Sequence, residues 1–164
     1  MKRFKAVVVG TGFIGPVHVE GLRRAGVEVV GIVGSTPEKS RAAAQQLGLP
    51  NEIATFHDAL RSDSVDAIHL TTPNVLHYEQ TKTVLAAGKH CLCEKPLAMT
   101  AVQSAELVKL ASQSGLATGV AYNVRFYPLC HEARARVAAV ITKVFRIPSN
   151  NCFARFMTTS IERI

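Results

Sequence analysis

The 164-residue sequence has no apolar run long enough to cross a membrane. Its first residues, with Lys2, Arg3 and Lys5 ahead of an apolar stretch, resemble a signal peptide, but glycines interrupt that short stretch. Internal repeats and low-complexity segments are also missing. These absences predict a globular protein with no membrane partner, and we expect it to be cytoplasmic.

Metal-ligand spacings are missing as well. The four cysteines, Cys91, Cys93, Cys130 and Cys152, form no Cys-x-x-Cys pair and have no histidine at zinc-site spacing. Cys91 and Cys93 alternate with Leu92 in an apolar run, which places them on the same face of a strand. The sequence therefore predicts buried free thiols and no metal site.

Positive charge is in excess but is not clustered. The chain has 19 Lys and Arg against 12 Asp and Glu, a net charge of +7. The basic residues are scattered and accompany no nucleic-acid recognition motif, so we expect no nucleic-acid partner. A modest positive field also suits an anionic cofactor.

A Gly-x-Gly-x-x-Gly motif is the most informative feature that is present. The apolar run Lys5 to Val9 leads directly into Gly10, Gly12 and Gly15, and a helical pattern follows. In a dinucleotide site the first glycine makes the tight turn, the second lets the backbone approach the pyrophosphate, and the third lets the helix pack on the strand. The helix N-terminus favours the phosphate charge. An ordinary glycine-rich turn is the alternative.

Apolar, strand-like runs alternate with helical patterns along the chain. This alternation predicts an α/β, Rossmann-type, doubly wound parallel sheet with ligands beyond the carboxyl ends of its strands. The predicted strands are Lys5–Val9, Val27–Val33, Ala67–Leu70, Lys89–Cys93 and Leu116–Ala121. The predicted helices are Ile14–Ala25, Pro37–Leu47, Phe56–Arg61, one from an Asn74 cap to Ala87, and one from a Thr100 cap to Ser114.

The second strand lacks the acidic residue that would bind the ribose hydroxyls of NAD. Gly34 stands where that acid is expected, and Ser35 and Thr36 follow it. Without the acid, nothing repels a 2′-phosphate, to which Ser35 and Thr36 can donate and to which Lys39 and Arg41 add charge. The cofactor is therefore predicted to be NADP or NAD, with NADP slightly favoured. Helix capping is the alternative role of Ser35 and Thr36.

Glu94, Lys95 and Pro96 directly follow the fourth predicted strand. Proline restricts Lys95 to extended backbone and allows a cis bond. An exposed Glu-Lys pair is usually a solvated surface pair, but the carboxyl end of a strand in this fold favours a role in the site.

Together these motifs resemble the glucose–fructose oxidoreductase/inositol dehydrogenase (Gfo/Idh/MocA) family over roughly residues 3–147. The motifs that carry the resemblance are Gly10-x-Gly12-x-x-Gly15, Thr71-Thr72-Pro73-Asn74 with His77, Gly88-Lys89-His90, Glu94-Lys95-Pro96, and Asn123-x-Arg125-x-x-Pro128. The resemblance implies an NAD(P)-dependent enzyme that moves a hydride to or from a hydroxyl-bearing carbon of a sugar, polyol or related small molecule.

The resemblance also implies roles for individual residues. Lys95 would be catalytic and hydrogen-bond the reacting hydroxyl, Glu94 would hold the nicotinamide ribose, and Arg125 would lie near the substrate. The other implied cofactor contacts are Gly10, Gly12, Phe13 and Ile14 at the pyrophosphate, Thr71, Thr72, Pro73, Asn74 and His77 along the groove, and Pro96 and Asn123 near the nicotinamide. For His77 a position on the helix surface is the alternative.

The carboxyl-terminal part matches the family less well. Residues 1–122 are predicted to be the NAD(P)-binding domain, and residues 123–164 a linker helix, Ala133–Ile141, with the truncated start of an α+β substrate and dimerisation domain whose first strand is Lys143–Ile147. A non-catalytic NAD(P)-binding module or a fragment lacking the catalytic domain is the alternative function. A fold that binds S-adenosylmethionine is a weaker one, and a homo-oligomer is possible in either case.

Overall fold

A computed structural model describes the backbone of residues 3–50 and 52–144 and their side chains up to residue 140. The chain divides into two compact units after Tyr122. The strands of the first unit are β1 (Lys5–Val9), β2 (Glu28–Val33), β3 (Ala67–Leu70), β4 (His90–Glu94) and β5 (Thr118–Ala121). Its helices are α1 (Ile14–Arg24), α2 (Pro37–Gln46), α3 (Phe56–Arg61), a 3₁₀ turn (Asn74–Leu76), α4 (His77–Ala86) and α5 (Ala101–Ser114).

The five strands form one parallel sheet in the order β2-β1-β3-β4-β5. Alternate residues of β1 enter different cores, because successive side chains of a strand point to opposite faces. Val7 and Val9 belong to one buried cluster, and Ala6 and Val8 to the other. Burial on both faces confirms the predicted Rossmann-type, doubly wound sheet.

Helices cover both faces of the sheet. The cluster around Ala6 and Val8 includes Val19 and Leu22 of α1 and Ala44 of α2. The cluster around Val7 and Val9 includes Ala59 of α3 and Val84 and Leu85 of α4. Because both faces are closed by apolar packing, the carboxyl ends of the strands are where a ligand can enter.

Local signals mark several helix ends as predicted. The Thr36 side chain accepts a hydrogen bond from the Lys39 N–H at 3.3 Å, and the Thr100 side chain accepts from the Gln103 N–H at 3.2 Å. Gly115 ends α5 with a φ of 67°, a left-handed conformation that glycine adopts without steric cost.

Strand β2 begins one residue later than predicted, at Glu28, and strands β4 and β5 also begin later, because the residues before them bond elsewhere. The Lys89 N–H donates to the Val84 carbonyl and closes the end of α4. The Leu116 N–H donates to Oγ of Ser114, and the Ala117 N–H donates to Nδ1 of His90. These three backbone donors are therefore used outside the strand ladder.

The second unit holds a 3₁₀ helix, Asn123–Phe126, and helix α6, Pro128–Val144. Helix α6 extends past both ends of the predicted Ala133–Ile141 helix. The predicted strand is wrong at Lys143 and Val144, which continue α6, and its remainder lies outside the described residues. Leu129, Glu132 and Lys143 favour helix and Pro128 fits the first helical position, which accounts for the longer element. The assignment of residues 123–164 to a linker and a second domain stays a prediction.

Two cysteines of the first unit are buried free thiols, as predicted. Burial raises the pKa of Cys91 to about 12 and that of Cys93 to about 11, so both stay protonated at neutral pH. Cys130 is a half-buried free cysteine. The prediction for Cys152 lies outside the described residues.

Candidate cofactor site

The Gly-x-Gly-x-x-Gly loop follows β1 directly and is packed too tightly for side chains at two of its glycines. Gly10 has a φ of 123°, and a Cβ atom there would overlap the backbone and hydroxyl of Thr71. A Cβ atom at Gly15 would overlap the Gly10 carbonyl oxygen. Gly12 differs, because a Cβ atom there would meet nothing within 4 Å. The space around Gly12 is thus open.

Helix α1 begins immediately after this loop. The Gly15 N–H donates to the Gly12 carbonyl at 3.0 Å, and the first turn contains no acidic residue. A helix start of this kind presents backbone N–H donors and a partial positive charge to an anion. Ile14 is the first helical residue, and Phe13 before it is 91% exposed. Gly10, Gly12, Phe13 and Ile14 therefore lie on one continuous segment that ends at the start of α1.

Thr71, which directly follows β3, is buried inside the protein. Its hydroxyl lies 3.0 Å from the Val9 carbonyl and 3.1 Å from the Gly10 carbonyl, and the residue is 7% exposed. The hydroxyl donates to this backbone, so Thr71 stabilises the glycine loop.

The residues after Thr71 reach the surface in the loop that follows β3. The Thr72 hydroxyl donates to Gln80 Oε1 at 2.5 Å, and Pro73 and Asn74 are exposed. The predicted Asn74 cap of α4 is wrong: the cap position of α4 is Leu76, no side chain caps it, and Asn74 opens the 3₁₀ turn. The tighter 3₁₀ geometry changes the direction in which the following residues point.

His77 is fully buried, so neither a groove-lining position nor a helix-surface position describes it. Its Nδ1 lies 2.7 Å from the Pro96 carbonyl, and its Nε2 lies 2.8 Å from the Thr72 carbonyl. The ring therefore connects the loop after β3 with the loop after β4.

The loop after β2 has no room for an acidic residue at Gly34. A Cβ atom there would lie 2.8 Å from Cβ of Lys39, and the Gly34 N–H already donates to Oγ of Ser40 at 2.9 Å. Ser40 is completely buried, and its hydroxyl also lies 2.7 Å from the Ala54 carbonyl. This hydroxyl fixes the loop, so the missing acid is a consequence of how α2 packs.

Ser35, Thr36 and Lys39 lie together at the exposed end of this loop. Lys39 Nζ donates to Ser35 Oγ at 3.2 Å, and Thr36 caps α2. The capping role and the phosphate-binding role suggested for Thr36 are therefore compatible, because a capping residue stays at the surface of the loop.

Glu94, at the end of β4, is held by two groups. Its Oε1 lies 3.1 Å from Nε2 of His18 on α1, and its Oε2 accepts from the Lys95 N–H at 3.1 Å. His18 in turn lies 3.1 Å, Nδ1 to Nδ1, from His69 of β3. Burial, followed by the nearby His18, lowers the pKa of His69 to about 4, so His69 is neutral at neutral pH.

Lys95 is exposed at this edge of the sheet, and the Lys95–Pro96 peptide bond is cis. Lys95 directly follows Glu94, the last residue of β4. Asn123 and Arg125 belong to the second unit, in the 3₁₀ helix, where Asn123 Oδ1 accepts from the Val124 N–H at 2.9 Å.

The sequence reasoning missed His18, His69 and Ser40. His69 interrupts an otherwise apolar strand, and buried parallel strands are usually continuous apolar runs. A histidine within an apolar strand is the sequence signal that could have indicated a polar contact there. His18 lies one helical turn after Gly15, on a face that the fold turns toward the sheet.

Within residues 3–50 and 52–144, no three His, Cys, Asp or Glu side chains gather as metal ligands. No helix there combines the length and apolar character needed to span a bilayer.

Comparison with known proteins agrees with this geometry. The Gfo/Idh/MocA model, described as an oxidoreductase family with an NAD-binding Rossmann fold, matches residues 4–122. The chain is 36% identical over 107 residues to 1,5-anhydro-D-fructose reductase of Ensifer adhaerens, covering 65% of this chain and 32% of that protein. It is 31% identical over 147 residues to D-xylose 1-dehydrogenase (NADP(+)) 2 of Haloferax volcanii, covering 89% and 45%.

A solved structure gives the same result. GenD2 from gentamicin A biosynthesis, in complex with NAD, superposes with a TM-score of 0.77 at 28% identity, covering 84% of this chain and 40% of GenD2. The chain thus spans less than half the length of each of these three proteins. Because the family model matches most of the sequence and the parallel sheet carries the expected glycine loop, the chain belongs to the Gfo/Idh/MocA oxidoreductase family.

Proposed function

We propose that this chain is the cofactor-binding part of an NAD(P)-dependent oxidoreductase. The protein would transfer a hydride between nicotinamide and a hydroxyl-bearing carbon of a sugar, polyol or related molecule. The observation that carries the proposal is the glycine cradle beside Thr71, with Glu94 and Lys95 at the same edge of the sheet. The named relatives above are a reductase and a dehydrogenase of sugar-like substrates, which favours an enzyme over a non-catalytic module and a dinucleotide over S-adenosylmethionine.

The cradle fits a dinucleotide pyrophosphate. Gly12 leaves open space, and the start of α1 offers N–H donors and positive charge without an acid in its first turn. The bound cofactor would supply the hydride chemistry. Gly10, Gly12, Phe13 and Ile14 would hold the pyrophosphate, while Thr72, Pro73 and Asn74 would form the wall of the groove, with Thr71 and His77 behind it.

Lys95 would handle the proton that accompanies hydride transfer. It follows the last residue of β4 and is exposed, so its side chain can reach a ligand at this edge of the sheet. Glu94 beside it would accept hydrogen bonds from the nicotinamide ribose, with Pro96 and Asn123 near the nicotinamide. Arg125 is proposed near the substrate.

NADP is the cofactor that the loop after β2 favours. Gly34 has no space for a carboxylate, and Ser35 and Lys39 are already joined at 3.2 Å. A 2′-phosphate there would accept from the Ser35 and Thr36 hydroxyls and from the Lys39 ammonium. The nearby Glu38 carboxylate lies 3.7 Å from Arg41, which offsets its charge.

Titration of the 164-residue chain with NADPH and with NADH, followed by cofactor fluorescence, tests this proposal. We expect tighter binding of NADPH than of NADH. Tighter binding of NADH would overturn the assignment of the phosphate site and leave the cofactor site standing. Binding of neither would overturn the cofactor site in this chain. Hydride transfer with a panel of polyols and aldoses, detected by the same fluorescence, then tests the reaction.

A further inference from the structure

The Glu94 carboxylate is oriented by a half-buried histidine pair that extends to the central strand of the sheet. His18 and Glu94 side chains are only 10% and 13% exposed, and the two join at 3.1 Å. A hydrogen bond to a carboxylate is shorter and stronger than one between neutral groups. With the Lys95 N–H on its other oxygen, the carboxylate has its direction fixed from both sides.

His69 supports His18 from the other side of its ring. The two rings meet edge to face, with centroids 5.3 Å apart and Nδ1 atoms 3.1 Å apart. A neutral imidazole has one donor and one acceptor nitrogen. Neutral His69 can therefore donate from Nδ1 to Nδ1 of His18, which leaves the Nε2–H of His18 to donate to Glu94.

We propose that His18 is a positioning residue that orients Glu94 at the nicotinamide end of the cleft. The inference rests on the proposed function. A carboxylate that is already held in one direction can accept from the ribose without the entropy cost of ordering a free side chain.

The titratable groups that contact His18 are His69 from β3 and Glu94 from β4. The charged groups on α1 and on the neighbouring strands β1 and β2 form ion pairs with one another. Glu20 pairs with Arg24 at 2.7 Å within α1, and Lys5 of β1 pairs with Glu28 of β2 at 3.5 Å. Arg23 of α1 donates to the Leu47 carbonyl at 2.7 Å. The contacts that fix the carboxylate are therefore those of His18 and of the Lys95 N–H.

The test is the dissociation constants of NADP⁺ and NADPH at neutral pH for the wild-type chain and for variants of His18. NADPH binding is followed by fluorescence, and NADP⁺ binding by displacement of NADPH.

His18→Gln keeps an N–H donor for Glu94, so both cofactor forms should bind within about twofold of the wild-type affinity. His18→Leu removes the donor, and both cofactor forms should bind about tenfold more weakly. His57→Leu, at an exposed histidine of α3, is the matched control and should bind both forms like the wild-type chain. Circular dichroism checks that each variant is folded, and if His18→Leu does not fold, His18→Ala takes its place.

Unchanged binding by folded His18→Leu would overturn the inference, as would equal weakening by folded His18→Gln and His18→Leu. Failure of the wild-type chain to bind either form overturns the proposed function together with the inference.

Discussion

Nδ1 of His77 lies 2.7 Å from the carbonyl oxygen of Pro96, and the ring that makes this contact is completely buried. Its other nitrogen lies 2.8 Å from the Thr72 carbonyl. One side chain of α4 thereby holds together the two loops on which Thr72 and Lys95 are presented. His77 thus supports the cleft from behind.

Replacement of His77 by leucine should destabilise the protein by about 3 kcal/mol, because the two carbonyl groups that the buried ring connects lose their polar partner. The free energy of unfolding in urea measures this. His57→Leu, at an exposed position of α3, should change it by less than about 0.5 kcal/mol. A His77→Leu protein as stable as the wild-type chain would contradict the connecting role of this ring.

Acid should destabilise the folded chain through His69. Its pKa is lowered from 6.5 to about 4 by burial and by His18, so the unfolded chain binds the proton more readily. The stabilisation is complete above about pH 6.5 and is lost as the pH falls toward 4, amounting to at most about 3 kcal/mol. Urea unfolding at a series of pH values measures the slope.

His69→Asn removes this titration and keeps a polar group beside His18. The variant should lose less stability between neutral pH and about pH 4.5 than the wild-type chain does. Equal slopes for the two proteins would show that other groups cause the acid sensitivity.

Lys39 should control cofactor preference. Its ammonium lies 3.2 Å from Ser35 Oγ at the proposed phosphate position. Lys39→Ala should weaken NADPH binding about tenfold, because a charge-assisted contact to phosphate is lost, and should leave NADH binding unchanged. Lys109→Ala, on the exposed surface of α5, removes the same charge elsewhere and is the control. Equal weakening of both cofactors in Lys39→Ala would contradict a 2′-phosphate site here.

Local sequence signals predicted most of the fold. Thr36 and Thr100 cap their helices, Gly115 ends one, and the apolar run before Gly10 forms a strand. Each of these features depends on neighbouring residues. For that reason they can be read without knowing the tertiary structure.

The supporting network behind the site could not be predicted in the same way. His18 and Glu94 are far apart in sequence. They meet only because α1 packs on the sheet and brings His18 next to the end of β4. His77 points inward because a 3₁₀ turn precedes α4. Both arrangements depend on tertiary packing and helix phase, which the motif spacing does not contain.

The central claim is that the open space at Gly12 receives the cofactor pyrophosphate, and NADPH titration of Gly12→Ala tests it most directly. A methyl group there meets nothing within 4 Å in the protein, and the same holds for Gly21→Ala on α1, the matched control. We predict that both variants fold, that Gly21→Ala binds NADPH like the wild-type chain, and that Gly12→Ala binds at least about tenfold more weakly. Wild-type affinity in Gly12→Ala would contradict the claim.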